Sequence, residues 1–86
     1  MKFFVYVIGS KSKSKFITYV GYTNNLYKRI KLHNTGKGAK FTKGRKWKIL
    51  YYESFSSKNA AMKREFAIKN DRILRKKLRI KYKCFQ

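Results

Sequence analysis

Acidic residues are scarce in this chain, so its three acids can be considered one by one as groups that could do chemistry. Asp71 precedes a helical pattern and is predicted to cap that helix, which is a structural role. Glu53 follows an aromatic run, and pairing with surrounding lysines would account for it. Glu65 is the acid whose position points to more than surface charge.

Glu65 lies within an apolar pattern of helical period. On a helical wheel it falls between Ala61 and Ile68 on one side and Met62 and Phe66 on the other, so its carboxylate is predicted to belong to an inward-facing arc. A carboxylate in such a place is costly unless it is paired or holds a metal ion. A buried ion pair with a lysine or arginine is the alternative that the sequence leaves open.

The available side chains restrict which hydrolytic chemistry Glu65 could serve. A two-metal nuclease site usually recruits several acidic ligands, which three scattered acids do not supply. One cysteine and one histidine are too few for a zinc site, and a Ser-His-Asp triad is equally poorly supplied. Any hydrolysis would therefore use a single divalent ion.

Two tyrosines and an Arg–His pair form a second group. Tyr6 and Tyr19 each lie in a predicted strand, and Arg29 follows Tyr19 by ten residues. His33 comes four residues after Arg29, which is one helical turn. Taken singly, each of these residues has an ordinary explanation in packing or solvation. Together, and in this order, they form a more specific pattern.

The elements that would position these residues follow from periodicity and turn signals. Aromatic and β-branched runs predict strands at 3–8, 16–22 and 47–52, the first two joined by a polar loop at 9–15. Gly21 within the second strand suggests a bulge or a close approach to a ligand. The order ββαβαα predicts an α+β fold, a small three-stranded antiparallel sheet flanked by helices. The predicted helices are 25–34 with Asn24 as cap and Gly36 as stop, Ser56 or Ser57 to about Lys69, and Asp71 to about Lys81.

Charge is the strongest signal about partners. The chain has 24 Lys and Arg against three acids, a formal net charge of +21 at pH 7, whereas solubility needs only about 2–8 in a small domain. Self-repulsion of this size is tolerated more easily with a polyanionic partner. The sequence therefore predicts a nucleic-acid partner, contacted through a basic loop at 34–46 that carries Lys37, Lys40, Lys43 and Arg45.

Length and apolar runs bound the organisation of the chain. Residues 1–86 are expected to form one domain, with 72–86 as a basic C-terminal helix or tail. The longest apolar run, 3–8, is too short to cross a bilayer, so no membrane is expected. Cys84 alone cannot form an internal disulfide, which fits a reducing compartment and the cytoplasm.

The motifs resemble those of the GIY-YIG nuclease family, especially short stand-alone members similar to the N-terminal nuclease domain of the bacterial excinuclease. Residues 5–7 (VYV) stand where the family has GIY, and residues 19–21 (YVG) stand for YIG. Arg29 and His33 follow at the family's spacing. The resemblance covers residues 3–69 and is completed by a basic loop at 36–44 and an acidic helix at 61–65.

The resemblance implies the family's antiparallel sheet with flanking helices, and divalent-metal-dependent hydrolysis of phosphodiester bonds, mostly in DNA, which is favoured here over RNA. By position, Glu65 would hold Mg²⁺ or Mn²⁺, and Arg29 would bind the scissile phosphate. Tyr6 and Tyr19 would position or deprotonate the attacking water, with His33 assisting. A metal and an arginine would neutralise charge on the phosphate, and hydroxyls beside a cation could move protons.

Three positions differ from the family's pattern. Val5 replaces the glycine of GIY. Tyr22 stands where the excinuclease relatives have a lysine, and a tyrosine needs a nearby cation to act as a base, for which Lys40 or the metal would serve. Many members have an asparagine well beyond the catalytic acid. Asn70 follows Glu65 by only five residues and is not assigned that role.

Two other hypotheses also account for the charge. The chain could be an inactive basic module that binds structured RNA. The two hypotheses differ in one respect, since only a nuclease needs the tyrosines, the arginine and Glu65 to converge. Residues 72–83 could instead bind a membrane surface, since Ile73, Leu74 and Leu78 lie on one side amid seven cations. The predicted sheet upstream favours a globular chain.

Overall fold

The computed structural model describes residues 2–12, 15–38 and 40–84. Within them the fold is α+β, in the predicted order ββαβαα, with a three-stranded antiparallel sheet and helices. The strands are β1 (Phe3–Ser12), β2 (Lys15–Thr23) and β3 (Lys48–Phe55), the helices are α1 (Leu26–Asn34), α2 (Lys58–Lys69) and α3 (Arg72–Cys84), and a short 3-10 helix spans Lys40–Thr42.

β1 is the central strand of the sheet, which has the order β2-β1-β3. Because side chains alternate across a strand, Val5 and Val7 lie on one face, and Tyr6 and Ile8 lie on the other. All four side chains are buried. A strand that is buried on both faces has no polar alternation, which is why residues 3–8 form a continuous apolar run. This double burial fixes the position of Tyr6.

Helices α2 and α3 pack against the Val5 face of the sheet. The apolar side of α3 contributes Leu74 and Leu78 to this core, so the basic C-terminal helix is part of the globular fold. None of the helices in the described part of the chain is long and apolar enough to cross a membrane. The buried residues of this core are Val5, Val7, Val20, Ala61, Ile68 and Leu78.

Helix α1 packs against the opposite face, where Tyr6, Ile8 and Trp47 are buried. Leu26 and Ile30 point from α1 towards these residues. The segment between α1 and β3 returns to the same face through Trp47. Tyr6 therefore lies between the sheet and α1, with its hydroxyl end directed at the helix that carries Arg29 and His33.

Glu53 lies inside β3, opposite Val5, and not after the strand as predicted. Its carboxylate accepts hydrogen bonds from Arg64 Nε (3.0 Å) and Nη2 (2.9 Å) and from the Tyr51 hydroxyl. Hydrogen bonding by Arg64 is the main cause that holds the pKa of Glu53 below its usual range. The partner of Glu53 is thus an arginine of α2, not the surrounding lysines that were expected.

The prediction of a loop at 9–15 is wrong for most of that segment, because β1 and β2 together include residues 9–12 and 15. Residues 13–14 lie outside the described chain. A Cβ at Gly9 would lie 2.7 Å from Phe16 Cζ and 2.8 Å from Leu50 Cδ1. A side chain at this position would have to displace Phe16 and Leu50, so the glycine reflects side chains that pack over the strand and not a turn.

The N-cap of α3 is the residue that was predicted, whereas the N-cap of α1 differs from the prediction by one residue. Asp71 Oδ1 accepts a hydrogen bond from the Leu74 N–H at 2.9 Å, which confirms the predicted cap of α3. Asn25, and not Asn24, caps α1 by accepting the Lys28 N–H at 3.1 Å. Both arrangements satisfy a backbone donor of the first helical turn.

Candidate active site

A cleft of about 440 Å³ opens between β1, β2, α1 and α2. Four of the five residues that were predicted to be catalytic line this cleft, namely Tyr6, Tyr19, Arg29 and Glu65. His33 is fully buried behind Tyr6. The remaining lining residues are Phe3, Gly21, Tyr22, Thr23, Asn24 and Lys58.

A buried chain of hydrogen bonds runs inward from the Tyr6 hydroxyl. The Tyr6 oxygen lies 2.8 Å from His33 Nε2, and His33 Nδ1 lies 2.8 Å from Thr42 Oγ1. A neutral imidazole has one donor and one acceptor nitrogen. In the tautomer with a proton on Nδ1, His33 donates to Thr42 and accepts from Tyr6, which leaves the lone pairs of the Tyr6 oxygen for the cleft.

Burial and Arg29 together set the protonation of this pair. Burial, reinforced by the positive charge of Arg29, lowers the pKa of His33 from 6.5 to about 4, so the imidazole is neutral at pH 7. Burial also raises the pKa of Tyr6 above its usual value, while hydrogen bonding and the charge of Arg29 act in the opposite direction. Arg29 is therefore a cation that favours the deprotonated form of Tyr6. Lys40, which was expected to supply such a cation, does not line the cleft.

Tyr19 is held at the wall of the cleft by other aromatic rings. Its ring stacks on Phe41, with centroids 6.0 Å apart and planes at 23°. It meets His33 edge to face at 5.3 Å and Trp47 at 6.5 Å. Offset-stacked and edge-to-face contacts are the favoured geometries of aromatic pairs. Phe41 belongs to the basic loop and Trp47 directly follows it, so the path of this loop positions Tyr19.

Two glycines allow the polar chain to be this compact. A Cβ at Gly21 would lie 2.5 Å from the Tyr6 hydroxyl oxygen and 2.7 Å from its Cζ. A Cβ at Gly38 would collide with Nδ1 of His33. The close approach suggested by Gly21 is therefore real, but the group that approaches it is a side chain of the same protein. Neither position can carry a side chain unless Tyr6 or His33 moves.

Glu65 lies at the edge of the buried surface, with 19% of its side chain exposed. Its carboxylate is 3.5 Å from Lys69 Nζ, one helical turn away. Met62 and Phe66, which were predicted to share its inward arc, are 43% and 70% exposed. The buried arc of α2 is thus narrower than predicted, with Ala61 and Ile68 at its centre, and Glu65 borders it on the cleft side.

The residues present fit one kind of divalent-ion site. Among the described residues no three His, Cys, Asp or Glu side chains come together, so a full cage of protein ligands is not formed by them. Mg²⁺ instead usually keeps several waters and binds one or two carboxylates together with substrate phosphates. Glu65 offers one such carboxylate in an open cleft. The pairing Lys69 side chain is half exposed and free to turn outward.

The family model of the GIY-YIG catalytic domain matches residues 2–78, most of the chain. This chain belongs to the GIY-YIG family. The chain is also similar in sequence to curated proteins over most of their length. The UPF0213 protein of Staphylococcus haemolyticus is 51% identical over 69 residues, which are 79% of this chain and 80% of that protein. The UPF0213 protein YazA of Bacillus subtilis is 48% identical over 75 residues, covering 86% and 71%.

A solved structure supports the same placement. The solution NMR structure of the UPF0213 protein BH0048 from Bacillus halodurans matches with a TM-score of 0.51 and 36% sequence identity. The match covers 96% of this chain and 86% of that one. The similarity to small UPF0213 proteins therefore holds at the level of both sequence and fold, and a GIY-YIG catalytic domain implies a nucleic-acid substrate.

The four cationic residues predicted to bind nucleic acid in the basic loop of this GIY-YIG domain do not line the cleft, although the same loop carries Phe41, which stacks on Tyr19. Lys43 and Arg45 line a second cleft of about 440 Å³ beside the C-terminal end of α1. Lys37 and Lys40 are exposed. None of the four predicted nucleic-acid-binding residues is among those that line the first cleft. The structure therefore separates the predicted phosphate-binding side chains from the four predicted catalytic residues that line the first cleft.

Two residues at the candidate site were not identified from the motifs. Lys58 lines the cleft from the first turn of α2. It precedes Glu65 by seven residues, which is two helical turns, and this spacing could have indicated that both side chains lie on the same side of the helix. Thr42 is fully buried against His33. Its position results from the folding of the loop, since Trp47 Nε1 donates to the Thr42 carbonyl at 2.9 Å. No local sequence pattern predicts the contact between Thr42 and His33.

The buried histidine predicts a specific loss of stability in acid. His33 has a pKa of about 4 in the folded chain and about 6.5 when unfolded, so the unfolded state binds the proton first. The contribution of neutral His33 to the free energy of unfolding should be fully present above about pH 6.5. The free energy of unfolding should fall by about 3 kcal/mol as the pH decreases towards 4. Urea denaturation at pH 7, 6, 5 and 4.5 measures this change.

His33→Gln is the matched control for this prediction, because His33 is the only histidine in the sequence. The variant should be less stable than the original protein at pH 7 and should show little change between pH 6.5 and 5. Equal slopes for the two proteins across this interval would contradict the assignment of the acid sensitivity to His33.

Proposed function

We propose that this GIY-YIG protein is a divalent-metal-dependent endonuclease that hydrolyses phosphodiester bonds, with DNA as the favoured substrate. The observation that supports this function best is the convergence of Tyr6, Tyr19, Arg29 and Glu65 on one cleft. These four side chains come from β1, β2, α1 and α2, so no single element's packing accounts for their meeting. We further propose that residues 1–86 act as one nuclease domain.

The charged residues of the cleft have complementary tasks in this proposal. Arg29 binds the scissile phosphate and stabilises the negative charge that develops there, since guanidinium groups suit phosphate oxygens. Glu65 holds Mg²⁺ or Mn²⁺, which would act as a Lewis acid on the phosphate when bound. Lys58 lies on the same wall as Glu65 and adds positive charge for the incoming strand.

The tyrosines handle the attacking water. Tyr6 transfers its hydroxyl proton to His33 Nε2, which lies 2.8 Å away, as its oxygen takes a proton from the attacking water, so that hydroxide forms and His33 carries the extra proton. Arg29 lowers the cost of negative charge on that oxygen. Tyr19 orients the water from the neighbouring strand β2, where the rings of Phe41 and Trp47 restrict its movement.

The test of the proposed function is cleavage of labelled linear, nicked and branched DNA, with matched RNA, in Mg²⁺, Mn²⁺ or EDTA. The expected result is strand cleavage with either metal and none in EDTA. Binding to all substrates without cleavage in any metal would instead support the alternative of an inactive nucleic-acid-binding module. Cleavage that persists in EDTA would contradict the proposed metal dependence.

Removing the Tyr6 hydroxyl should strongly reduce this activity. Tyr6→Phe deletes one oxygen and leaves the ring in its buried position, so the protein should fold. Cleavage should fall by about 10²–10⁴-fold, the usual contribution of a positioned proton-transfer group. Stability should also decrease by about 1–3 kcal/mol, because His33 Nε2 loses its buried partner. Single-turnover cleavage and thermal denaturation measure the two effects, and Tyr19→Phe should also reduce cleavage.

Tyr51→Phe is the matched control for these variants. It removes a hydroxyl that binds Glu53 on β3, away from the cleft. This variant should keep full cleavage with a small loss of stability. If Tyr6→Phe and Tyr19→Phe are as active as Tyr51→Phe, the two cleft tyrosines serve packing alone.

A further inference from the structure

An apolar groove that no catalytic role explains lies next to the candidate active site. The groove has a volume of about 510 Å³, and its walls carry two strongly exposed tyrosines, Tyr27 at 85% and Tyr52 at 55%. The ring of Phe4 meets Tyr52 edge to face at 6.3 Å. We call it the aromatic groove, and its apolar lining consists of Phe4, Leu26, Tyr27, Ile49 and Tyr52.

The aromatic groove adjoins the cleft. Asn24 lines both of them. Phe4 and Tyr6 lie on the same face of β1, two residues and about 7 Å apart, and Tyr52 is the register partner of Tyr6 on the neighbouring strand. A strand whose phosphate lies in the cleft could therefore place an adjacent base in the groove.

Charge identifies the class of occupant. The chain's three acidic side chains are engaged elsewhere, Glu53 with Arg64, Glu65 in the cleft and Asp71 at the cap of α3. A second copy of this chain would bring another +21 charges, which opposes self-association through this face. The occupant that suits both exposed rings and a cationic surface is a polyanion with flat apolar faces, which describes a nucleic-acid strand with unpaired bases.

We propose that the aromatic groove stacks an unpaired base next to the scissile phosphate, so that the preferred substrate contains a single-stranded segment. This inference rests on the proposed nuclease function and specifies its substrate class. Bases inside a duplex already stack on their neighbours and are not available to Tyr27 and Tyr52. Stacking of a base on an aromatic side chain contributes about 5- to 150-fold in affinity and is tolerant of sequence.

The test is binding in EDTA, which is independent of cleavage. Fluorescence anisotropy compares three probes of equal phosphate number: a single-stranded oligonucleotide, the same strand with abasic residues, and a blunt duplex. The protein should bind the base-bearing strand at least tenfold more tightly than the abasic strand. Tyr27→Ala combined with Tyr52→Ala should remove this preference and change duplex binding by less than twofold.

Three further variants make the result specific. Tyr27→Phe with Tyr52→Phe keeps both rings and should retain the preference for bases. Tyr27→Ala alone changes a side chain that is almost fully exposed, so it should fold and lose about fivefold or more on the base-bearing strand. Phe66→Ala removes an equally exposed ring from α2, on the other side of the sheet, and should have no effect.

Three outcomes would overturn the inference, and each has a different meaning. Equal binding of abasic and base-bearing strands would rule out stacking in the groove and leave the nuclease proposal standing. Failure to bind any of the three probes would remove the nuclease proposal itself. Concentration-dependent dimers that Tyr27→Ala abolishes would assign the groove to a second copy of the chain and would also overturn it.

Discussion

Glu65→Gln is expected to reduce cleavage to the background level while nucleic-acid binding persists or becomes tighter. The substitution keeps the size of the side chain and its capacity for hydrogen bonds, but it removes the negative charge that would hold a divalent ion. One repulsive charge next to the phosphates also disappears. A nicking assay with Mg²⁺, together with anisotropy in EDTA, measures both quantities in the same preparation.

Stability separates the metal-ligand role of Glu65 from a structural ion pair. Loss of a buried pair that leaves an orphaned cation costs about 3–5 kcal/mol. The partner in this structure is Lys69, whose side chain is half exposed, and such pairs contribute at most about 1 kcal/mol. Glu65→Gln should therefore change the free energy of unfolding in EDTA by no more than this amount.

Glu53→Gln provides the matched comparison. Glu53 is the chain's other partly buried glutamate, and it is bound by Arg64 outside the cleft. Its substitution should lower thermal stability and leave metal-dependent cleavage intact, the reverse of the pattern for Glu65. A folded, fully active Glu65→Gln protein would remove the carboxylate on which the proposed metal site depends.

Binding to nucleic acid should be steeply dependent on salt, the second large effect. If about six to ten phosphates are neutralised, affinity should decrease by about 10³–10⁵-fold between 50 and 200 mM salt, because bound cations displace condensed counterions. Anisotropy titrations at four salt concentrations give the slope of log affinity against log salt. An affinity that stays constant over this range would contradict a phosphate-dominated interface.

Charge-neutralising variants locate the surface that is responsible. Replacing the four basic-loop residues by glutamine should lower the salt slope by up to about 3.6, since each phosphate contact contributes about 0.9. A cationic face of α3 offers a comparison of equal charge. If only the α3 variant lowers the slope, the loop assignment is wrong. The loop residues are Lys37, Lys40, Lys43 and Arg45, and the α3 residues are Arg72, Arg75, Lys76 and Arg79.

The fold was predictable because its signals are local. Residues 3–8 could be identified as a doubly buried strand from composition alone, and Asp71 as a cap from its position. Gly9 misled the prediction because the side chains that pack over it belong to other strands, Phe16 on β2 and Leu50 on β3. Boundaries that depend on such tertiary contacts are not encoded in a short window.

The candidate site was predictable to the extent that motifs mark it. The motif residues Tyr6, Tyr19, Arg29 and Glu65 do meet in one cleft. A helical wheel could not show that Phe66 faces solvent, because it gives relative angles on a helix and not the direction of the sheet. The residues that contact the motif residues were harder to predict, since their positions depend on how the loops fold back against the sheet.

Gly21 and Gly38 have a consequence for how this protein can diverge. Any mutation at either position adds atoms where the Tyr6 hydroxyl or the His33 ring already lies, so the reaction centre tolerates almost no drift in its immediate surroundings. The rim, where Tyr27 and the loop lysines face solvent, carries no such restriction. In the proposed nuclease, new substrate preferences could therefore evolve at the rim without disturbing the buried Tyr6–His33 pair.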